Sequence, residues 1–494
     1  MAKFELLLLY KLIQSLSKAE KRYFRLTTQI QEGTKTFMQL YDILDSCSNF
    51  DEEVVQRMTN ELTSKSIEPA RKYLYANILK SLRLFEEENS LESQLLNMIQ
   101  ECKILFNKGH IDLYNKRLAK AIHLAVKHDK HLFYLLLSKL ELQNLVSLQF
   151  ADITETALIR KQEQFKTLLK QENIHHEQAM LYEILWFRYL KNGMVRSSAD
   201  IEKLNDLLLE ESQILQQARQ KTFESKRLHL QFQSTYFLAV GNSKGSIAIF
   251  YELIDLFEQH QILWIDNPMY YIYCIEGILT DLRAMEKWEE MTFFIEKLRN
   301  IPSLNESTRY YLQVLIFSYQ VNLNNDLEQT QQGLEWVNNQ LNEIQKSIAQ
   351  VPAKLQVKAY YALARLYYFT KDYTIALQYV NEILASFQED LGTSLYAEIR
   401  ILNLLIHHRL GNFDYLSYDL VSLERKLKIE KKYHALEKVI IQVFRNVFTL
   451  NSRSQKLWNT FNDLSKMPYH QPIIKNLKLD KWVYRQLFEK HRNE

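Results

Sequence analysis

Glycine and proline, the residues that most often turn a polypeptide chain, are scarce in this sequence. Among 494 residues there are 9 glycines and 6 prolines, about 3% together where about 12% is average. β-Sandwiches, β-barrels and phosphate-binding folds depend on such residues in their turns. The composition therefore argues against these classes and favours helices joined by short turns.

Cysteine is also rare, and long apolar runs are missing. The three cysteines, Cys47, Cys102 and Cys274, show no paired spacing, so we predict neither a disulfide framework nor a zinc knuckle and expect a reducing compartment. No run of 18 apolar residues occurs, and the first residues, which include Glu5 and Lys11, are typical of an amphipathic helix rather than a signal peptide. The sequence therefore predicts a cytoplasmic protein with no membrane partner.

Residues that usually carry catalysis or bind cofactors form no recognisable arrangement. The glycines occur singly, so no phosphate-binding loop is present. His123, His128 and His131 lie across an expected turn, which does not favour a shared metal ion. Neighbouring histidines on a helix, as at 407–408, point about 100° apart. We therefore predict no catalytic residue, no metal site and no cofactor, and expect a protein that is not an enzyme.

Apolar residues recur at steps of three and four along almost the whole chain, which predicts helices throughout. In residues 326–348 they fall on one stripe, formed by Leu327, Leu334, Val337, Leu341, Ile344 and Ile348. Residues 131–146 are apolar nearly all round, so that helix is expected to be covered on two sides. Ser17 and Glu20 form a capping-box pattern at a helix start. We expect about 20 helices, mostly antiparallel neighbours.

One stretch, residues 358–384, carries a pattern of aromatic and small residues spread over two helices. Tyr360, Leu363, Ala364 and Tyr367 share a face of the first helix, and Ala376 follows nine residues later in the second. This resembles a tetratricopeptide repeat (TPR), in which the small residues lie where the two helices cross. Weaker copies surround it, with the equivalent residues Ile275, Val314, Tyr360 and Arg400 spaced by 39, 46 and 40 residues.

The resemblance implies an all-α fold, a right-handed α-solenoid of about ten antiparallel helix hairpins that stack because one hairpin cannot bury its own apolar face. It covers residues 93–430. Residues 1–92 are expected to form an N-terminal helical region, and residues 431–494 a basic, helical C-terminal cap. The chain is also similar to the large class of bacterial helical-repeat proteins.

The resemblance further implies a scaffold or adaptor that binds a peptide or a protein partner along the concave groove of the solenoid. The groove would be lined by first-helix residues that point away from the helix crossing. Carried onto this sequence, these are Tyr273, Thr280, Arg283, Tyr319, Asn322, Lys358, Tyr361, Arg365 and Tyr368. Glu276 stands where the family's carboxylate-binding clamp would want a cation.

The C-terminal part of the chain is basic although the whole is nearly neutral. The net charge is +3 overall, whereas residues 421–494 hold 16 Lys or Arg and 7 Asp or Glu, a balance of +9. The densest cations form a candidate basic patch: Arg425, Lys426, Lys428, Lys431, Lys432 and Lys438. This segment is either a solvated pair of helices or an electrostatic docking face. With its aromatic residues it also raises an alternative function, association with nucleic acid or ribonucleoprotein. A helical-repeat regulator that senses a small peptide is a further alternative.

Overall fold

The structure, a computed structural model, describes residues 6–29, 36–47, 67–87, 90–151, 153–192, 194–195, 198–217, 222–265, 267–302, 306–388, 391–429, 434–448, 454–467 and 470–489. The described residues are 87% helical, with 23 α-helices and no strand. The all-α prediction is therefore confirmed.

The chain divides into two compact units, Met1–Leu168 and Leu169–Glu494. The boundaries predicted at 92/93 and 430/431 remain predictions. The described helices of the first unit are α1 (Leu6–Gln14), α2 (Lys18–Gln29), α3 (Thr36–Ser46), α4 (Glu68–Glu87), α5 (Leu91–Asn107), α6 (Ile111–Lys127) and α7 (His131–Ser147). Helix α8 (Glu155–Asn192) begins in the first unit and ends in the second.

Helices α1–α4 of the first unit share one apolar core, and α5–α7 pack in sequence around another. The predicted capping box is confirmed at the start of α2: the Ser17 N–H donates to Glu20 Oε2 at 2.7 Å, and the Glu20 N–H donates to Ser17 Oγ at 3.1 Å. The expectation that α7 is covered on two sides is wrong, because Leu132 and Val146 are 63% and 61% exposed.

The second unit is a succession of helix hairpins. Its described helices after α8 are α9 (Ser198–Gln217), α10 (Phe223–Ala239), α11 (Ser243–Gln259), α12 (Met269–Ala284), α13 (Trp288–Arg299), α14 (Glu306–Asp326), α15 (Thr330–Ile348), α16 (Ala353–Phe369), α17 (Tyr373–Ser386), α18 (Thr393–Leu410), α19 (Phe413–Ile429), α20 (Ala435–Phe448), α21 (Ser454–Ser465), α22 (Gln471–Leu477) and α23 (Leu479–Tyr484). A π-helical turn, Arg485–Glu489, follows α23.

From α10 to α19 each helix packs on the next, and the first helices of neighbouring hairpins (α12 with α14, α14 with α16, α16 with α18) also pack on one another. This is the stacking expected of a solenoid-like array. The hairpin predicted in residues 358–384 is α16 with α17, and its small residues Ala364 and Ala376 are both fully buried. The predicted stripe on 326–348 is confirmed from Leu334 onward, while Leu327 lies in a turn and is 37% exposed.

The hairpin turns share one backbone design. After each first helix comes a residue with positive φ: Gly241, Glu286, Glu328, Lys371 and Gly411. The next residue donates its N–H to the carbonyl five positions back, at 2.9–3.0 Å in all five turns. This bond satisfies a carbonyl that the helix end leaves free. Repetition of one turn type explains how so many helices are joined with so few glycines.

We expect Gly411→Ala to lower the free energy of unfolding by about 1 kcal/mol, because the φ of +74° at Gly411 is unfavourable for any residue with a Cβ. The added methyl group itself meets no heavy atom within 4 Å, so the backbone is the whole cause. Urea unfolding measures the change. Lys371→Gly is the matched control, since it relieves the same strain (φ +68°) and should not destabilise the protein.

A second glycine, Gly277 in the middle of α12, marks a close approach to α11. A Cβ built there lies 2.2 Å from Cζ of the Phe250 ring, and Phe250 is buried. Gly277→Ala should therefore destabilise the protein by roughly 1–3 kcal/mol through overpacking. If the ring is the cause, Gly277→Ala combined with Phe250→Leu should lose less stability than the two single changes summed; simple additivity would contradict it.

Candidate functional site

The nine residues predicted to line a groove lie on three neighbouring first helices. Helix α12 carries Tyr273, Thr280 and Arg283; α14 carries Tyr319 and Asn322; and α16 carries Lys358, Tyr361, Arg365 and Tyr368. Because α12 packs on α14 and α14 on α16, these residues share one surface. We call it the first-helix face, and it includes the adjoining side chains of α18.

Glu276 organises one end of the first-helix face. Its carboxylate forms an ion pair with Lys358 and accepts a hydrogen bond from Tyr311 Oη at 3.1 Å. Its main-chain carbonyl accepts from Tyr319 Oη at 3.0 Å, and Tyr319 Oη lies 2.9 Å from Thr280 Oγ1. Burial alone would raise the pKa of Glu276, but Lys358 holds it below its usual value. In the sequence, Glu276 stands where a carboxylate-binding clamp would need a cation. In the structure it forms an ion pair with Lys358, one of the predicted groove residues.

An arginine cluster organises the other end. Arg365 is fully buried; its Nη1 donates to Asn322 Oδ1 at 2.7 Å and its Nη2 to Asp326 Oδ1 at 2.9 Å. Arg283 donates from Nε to Asp326 Oδ2 at 2.5 Å. Burial alone would raise the pKa of Asp326, but the two guanidinium groups hold it below its usual value. The carboxylate is therefore charged at neutral pH and binds both arginines, which joins the first helices α12, α14 and α16.

A residue of the C-terminal region, Asn476 on α22, occupies this cluster. Its main-chain carbonyl accepts from Arg365 Nε at 2.7 Å, and its side-chain Oδ1 accepts from Arg283 Nη2 at 2.6 Å. Its Nδ2 donates to Glu398 Oε1 of α18 at 2.6 Å, and Tyr361 Oη donates to that same oxygen at 2.6 Å. Every polar atom of the asparagine amide thus has a partner on the first-helix face.

Lysines on both sides of Asn476 reach the hairpin turns. Lys475 pairs with Glu286 at 2.6 Å, while Lys478 and Lys481 pair with Glu328 at 3.1 and 2.8 Å. Hydrogen bonds from these two lysines lower the pKa of Glu328 to about 2. Glu286 and Glu328 are the positive-φ residues of successive hairpin turns. The lysines around Asn476 therefore contact equivalent positions in two neighbouring hairpins.

The predicted groove residues differ in what a second molecule can reach. Tyr273 is 47% exposed and Thr280 is exposed, whereas Tyr319, Tyr361, Arg365 and Tyr368 are buried and Arg283, Asn322 and Lys358 are half-buried. A partner protein can contact the exposed residues Tyr273 and Thr280 of α12 directly. It can contact the arginine cluster only if Asn476 is displaced.

The basic patch is divided between two helices. Arg425, Lys426 and Lys428 lie on α19 and Lys438 on α20, while Lys431 and Lys432 lie outside the described residues. Lys426 Nζ lies 3.7 Å from the centroid of the Tyr396 ring, and Lys428 pairs with Glu424. The patch lies apart from the Asn476 contacts in sequence, and two of its cations, Lys426 and Lys428, have partners within the chain.

Aromatic residues expected to stack on bases mostly pack on one another. Phe461 is fully buried and Trp482 is 4% exposed; Trp482 packs against Phe444 with ring centroids 4.4 Å apart, and Trp458 lies 5.4 Å from Tyr484. Tyr484 is 45% exposed. Tyr469 lies outside the described residues.

Cysteine and metal chemistry find little support in the described part of the chain. Cys102 and Cys274 are buried, and burial raises the pKa of Cys274 to about 12, which makes it a poor nucleophile at neutral pH. No group of three or more His, Cys, Asp or Glu side chains able to hold a metal ion occurs among the described residues.

Sequence reasoning missed Asp326, Glu398 and Asn476. Asp326 is the last residue of α14, four positions and so about one helical turn after the predicted Asn322. The signal for Asn476 was the group of lysines at 475, 478 and 481 around it. In the structure they lie on α22, at the positive-φ residue between α22 and α23, and on α23. The counterpart of these lysines was the recurrence of glutamate at equivalent turn positions, 286 and 328.

Over the ranges that the structure describes, no helix is both long and apolar enough to cross a bilayer. Comparisons of the chain with protein-family models, with curated proteins and with solved structures found no match.

Proposed function

We propose that this chain is a non-catalytic, cytoplasmic protein-interaction module with a TPR-like array, which binds a polypeptide segment of a partner on its first-helix face. One observation carries the proposal: the face already binds a polypeptide segment, its own α22. It does so through a main-chain carbonyl and a side-chain amide, groups that any protein partner can offer.

The TPR-like assignment is supported by the α16–α17 hairpin. Its small residues Ala364 and Ala376 are fully buried, as expected where two helices cross closely. The aromatic residues Tyr360, Tyr367 and Tyr379 pack around them, with ring centroids 5.8–5.9 Å apart for the two pairs that involve Tyr379. Together with the repeated turns, this supports a stack whose first helices form a continuous surface.

The α12 end of the face supplies accessible contact area. Tyr273 and Tyr270 are each 47% exposed, and tyrosine is enriched among the residues that dominate binding energy at protein interfaces. Half-buried Lys358 lies nearby through its pair with Glu276. The tyrosine rings and the nearby Lys358–Glu276 ion pair suit a partner segment that carries both apolar and polar side chains.

Site-specific photo-crosslinking in cells that naturally contain the protein tests this proposal. A benzophenone amino acid in place of Tyr273 should capture a defined protein. The same group in place of Phe293, which is 58% exposed on the second helix α13, should not. Identical products at the two positions, or no product at position 273, would overturn the assignment of the first-helix face.

Association with nucleic acid has weaker support than the protein-binding proposal. Three lysines of the basic C-terminal region are paired with glutamates of the array, and Trp482 and Phe461 are buried. The peptide-sensing regulator uses the same face as the leading proposal and differs from it in the size of the ligand. The photo-crosslinked product at position 273 distinguishes the two by its mass.

A further inference from the structure

Helix α19 carries three strongly exposed apolar side chains. Tyr418 is 79% exposed and Ile429 is 71% exposed, the two highest values for a large apolar side chain among the described residues, and Val421 is 60% exposed. Of the second helices before it, α13 exposes Phe293 alone, and α15 and α17 expose no large apolar side chain among the described residues. The exposed apolar surface is therefore a local feature of α19.

The exposed side chains form one stripe on the side of α19 opposite its buried stripe. The buried stripe, which belongs to the apolar core, consists of Leu416, Leu420, Leu423 and Leu427. The exposed stripe follows at similar steps of three and four residues and consists of Tyr418, Val421, Arg425 and Ile429. The offset of about two residues places the second stripe roughly half a turn from the first. Such spacing is typical of a helix face that packs against another helix.

The exposed stripe carries opposite charges at its two ends. Asp414, four residues before Tyr418, is exposed in the first turn of α19. Arg425 is exposed near the other end and forms no ion pair with another described residue. Lys428, which pairs with Glu424, adds to the positive end. A stripe of this kind is complementary to a copy of itself that runs in the opposite direction, because each acidic end then meets a basic end.

We propose that α19 binds α19 of a second copy of this chain, antiparallel and about a two-fold axis at Val421. In this register the two Val421 side chains face each other. Arg425 lies between the second copy's Asp414 and the second copy's Tyr418, which gives it an ion pair and a cation–π contact. Because α19 is a second helix and contributes nothing to the first-helix face, this proposal stands apart from the function proposed above.

A second copy fits the stripe better than the other classes of partner. Val421 and Ile429 are aliphatic, so they cannot stack on nucleic-acid bases as aromatic rings do. Asp414 would repel the phosphates of nucleic acid and of an anionic bilayer, and a bilayer has no direction that matches charges ordered along a helix. An acidic segment of another protein would meet Arg425 but would leave Asp414 facing like charge.

The proposed contact is small, which sets its expected strength. Tyr418 and Ile429 are 11 residues apart, or about 16 Å along a helix at about 1.5 Å per residue. One helix pair of this length buries less than the roughly 800 Å² per partner of a standard interface. We therefore expect a reversible dimer with a dissociation constant on the order of 10 μM.

Sedimentation velocity of the full chain tests the contact over a range of about 1 to about 200 μM, because dimerisation depends on concentration. The wild type should change from monomer to dimer across this range. Val421→Glu places two carboxylates at the two-fold axis and should weaken dimerisation at least about tenfold. Phe293→Glu is the matched control, since Phe293 is 58% exposed on another second helix, and it should dimerise like the wild type. Circular dichroism shows whether both variants remain folded.

Two charge reversals test the antiparallel register. Asp414→Arg makes the acidic end of the stripe basic, and Arg425→Glu places an acid at the basic end. Each variant alone should dimerise about tenfold more weakly than the wild type, because like charges then meet at both ends of the contact. An equimolar mixture of the two variants should form a heterodimer with about the wild-type affinity, since each changed position then meets the opposite charge.

Four results would overturn the proposal. A wild type that stays monomeric at every concentration would remove the contact. Equal dimerisation of the wild type and Val421→Glu would assign the dimer to another surface. A mixture of the two charge variants that associates no better than either alone would rule out the antiparallel register. Flotation of the wild type with phosphatidylserine vesicles, lost in Val421→Glu, would assign the stripe to a bilayer.

Discussion

Replacing Arg365 with alanine is expected to lower the free energy of unfolding by about 3–5 kcal/mol, the range typical of breaking a buried ion pair. Arg365 is fully buried and donates to Asn322, Asp326 and the main-chain carbonyl of Asn476. Alanine leaves these acceptors short of a donor and leaves a cavity in place of a long side chain. Urea unfolding at neutral pH measures the loss.

A matched arginine separates this effect from the removal of any positive charge. Arg309 lies on α14 and pairs with Glu306 at 3.1 Å, with about half of its side chain exposed. Arg309→Ala should change stability by no more than about 0.5 kcal/mol. A comparable loss in both variants would mean that Arg365 contributes charge alone and does not hold three helices together.

Asp281→Asn is expected to stabilise the protein at pH 7 by about 2–3 kcal/mol. Asp281 on α12 is 2% exposed, its Oδ2 has no hydrogen-bond partner in the described residues, and burial raises its pKa to about 6 despite bonds from Ser246 and Ser243. With the pKa raised to about 6, the ionised side chain costs the folded state about 3 kcal/mol at pH 7. Asparagine keeps the shape without the charge.

The stabilisation by Asp281→Asn is expected to depend on pH. Because the pKa of Asp281 is higher in the folded chain than in the unfolded one, its contribution favours folding below about pH 4 and is lost as pH rises from about 4 to 6. The advantage of Asp281→Asn should therefore be absent near pH 4 and complete at pH 7. An advantage that stays the same at both pH values would point to packing rather than ionisation.

Much of the array could be predicted from the sequence because its signals are local. The residue pattern of 358–384 predicts the hairpin of α16 and α17, and the capping box of Ser17 and Glu20 predicts the start of α2. These signals depend on periodicity and on neighbours three or four residues apart. Apolar character alone was a poorer guide on α7, where Leu132 remains exposed, since composition does not say whether a neighbour covers a face.

The interior of the candidate site could not be predicted in the same way. Arg365 was chosen for its position on a first helix, but its partner Asn476 lies 111 residues away along the chain. Such a contact depends on how the C-terminal helices return to the array, and no local pattern encodes that path. The resemblance to TPR arrays predicts which side chains lie on the first-helix face. It does not predict which other segment of the chain packs against that face.

The hairpin turns also bear on how such a protein changes its preferences over evolution. The positive-φ position of each turn is occupied in succession by Gly241, Glu286, Glu328, Lys371 and Gly411. The three charged residues among them are exposed and not part of the apolar core. Substitutions at these turn positions can change the charges along the edge of the array without altering its apolar core. Each hairpin thus contributes one surface charge that can change independently of the others, and the lysines of α22–α23 pair with the two glutamates of this series.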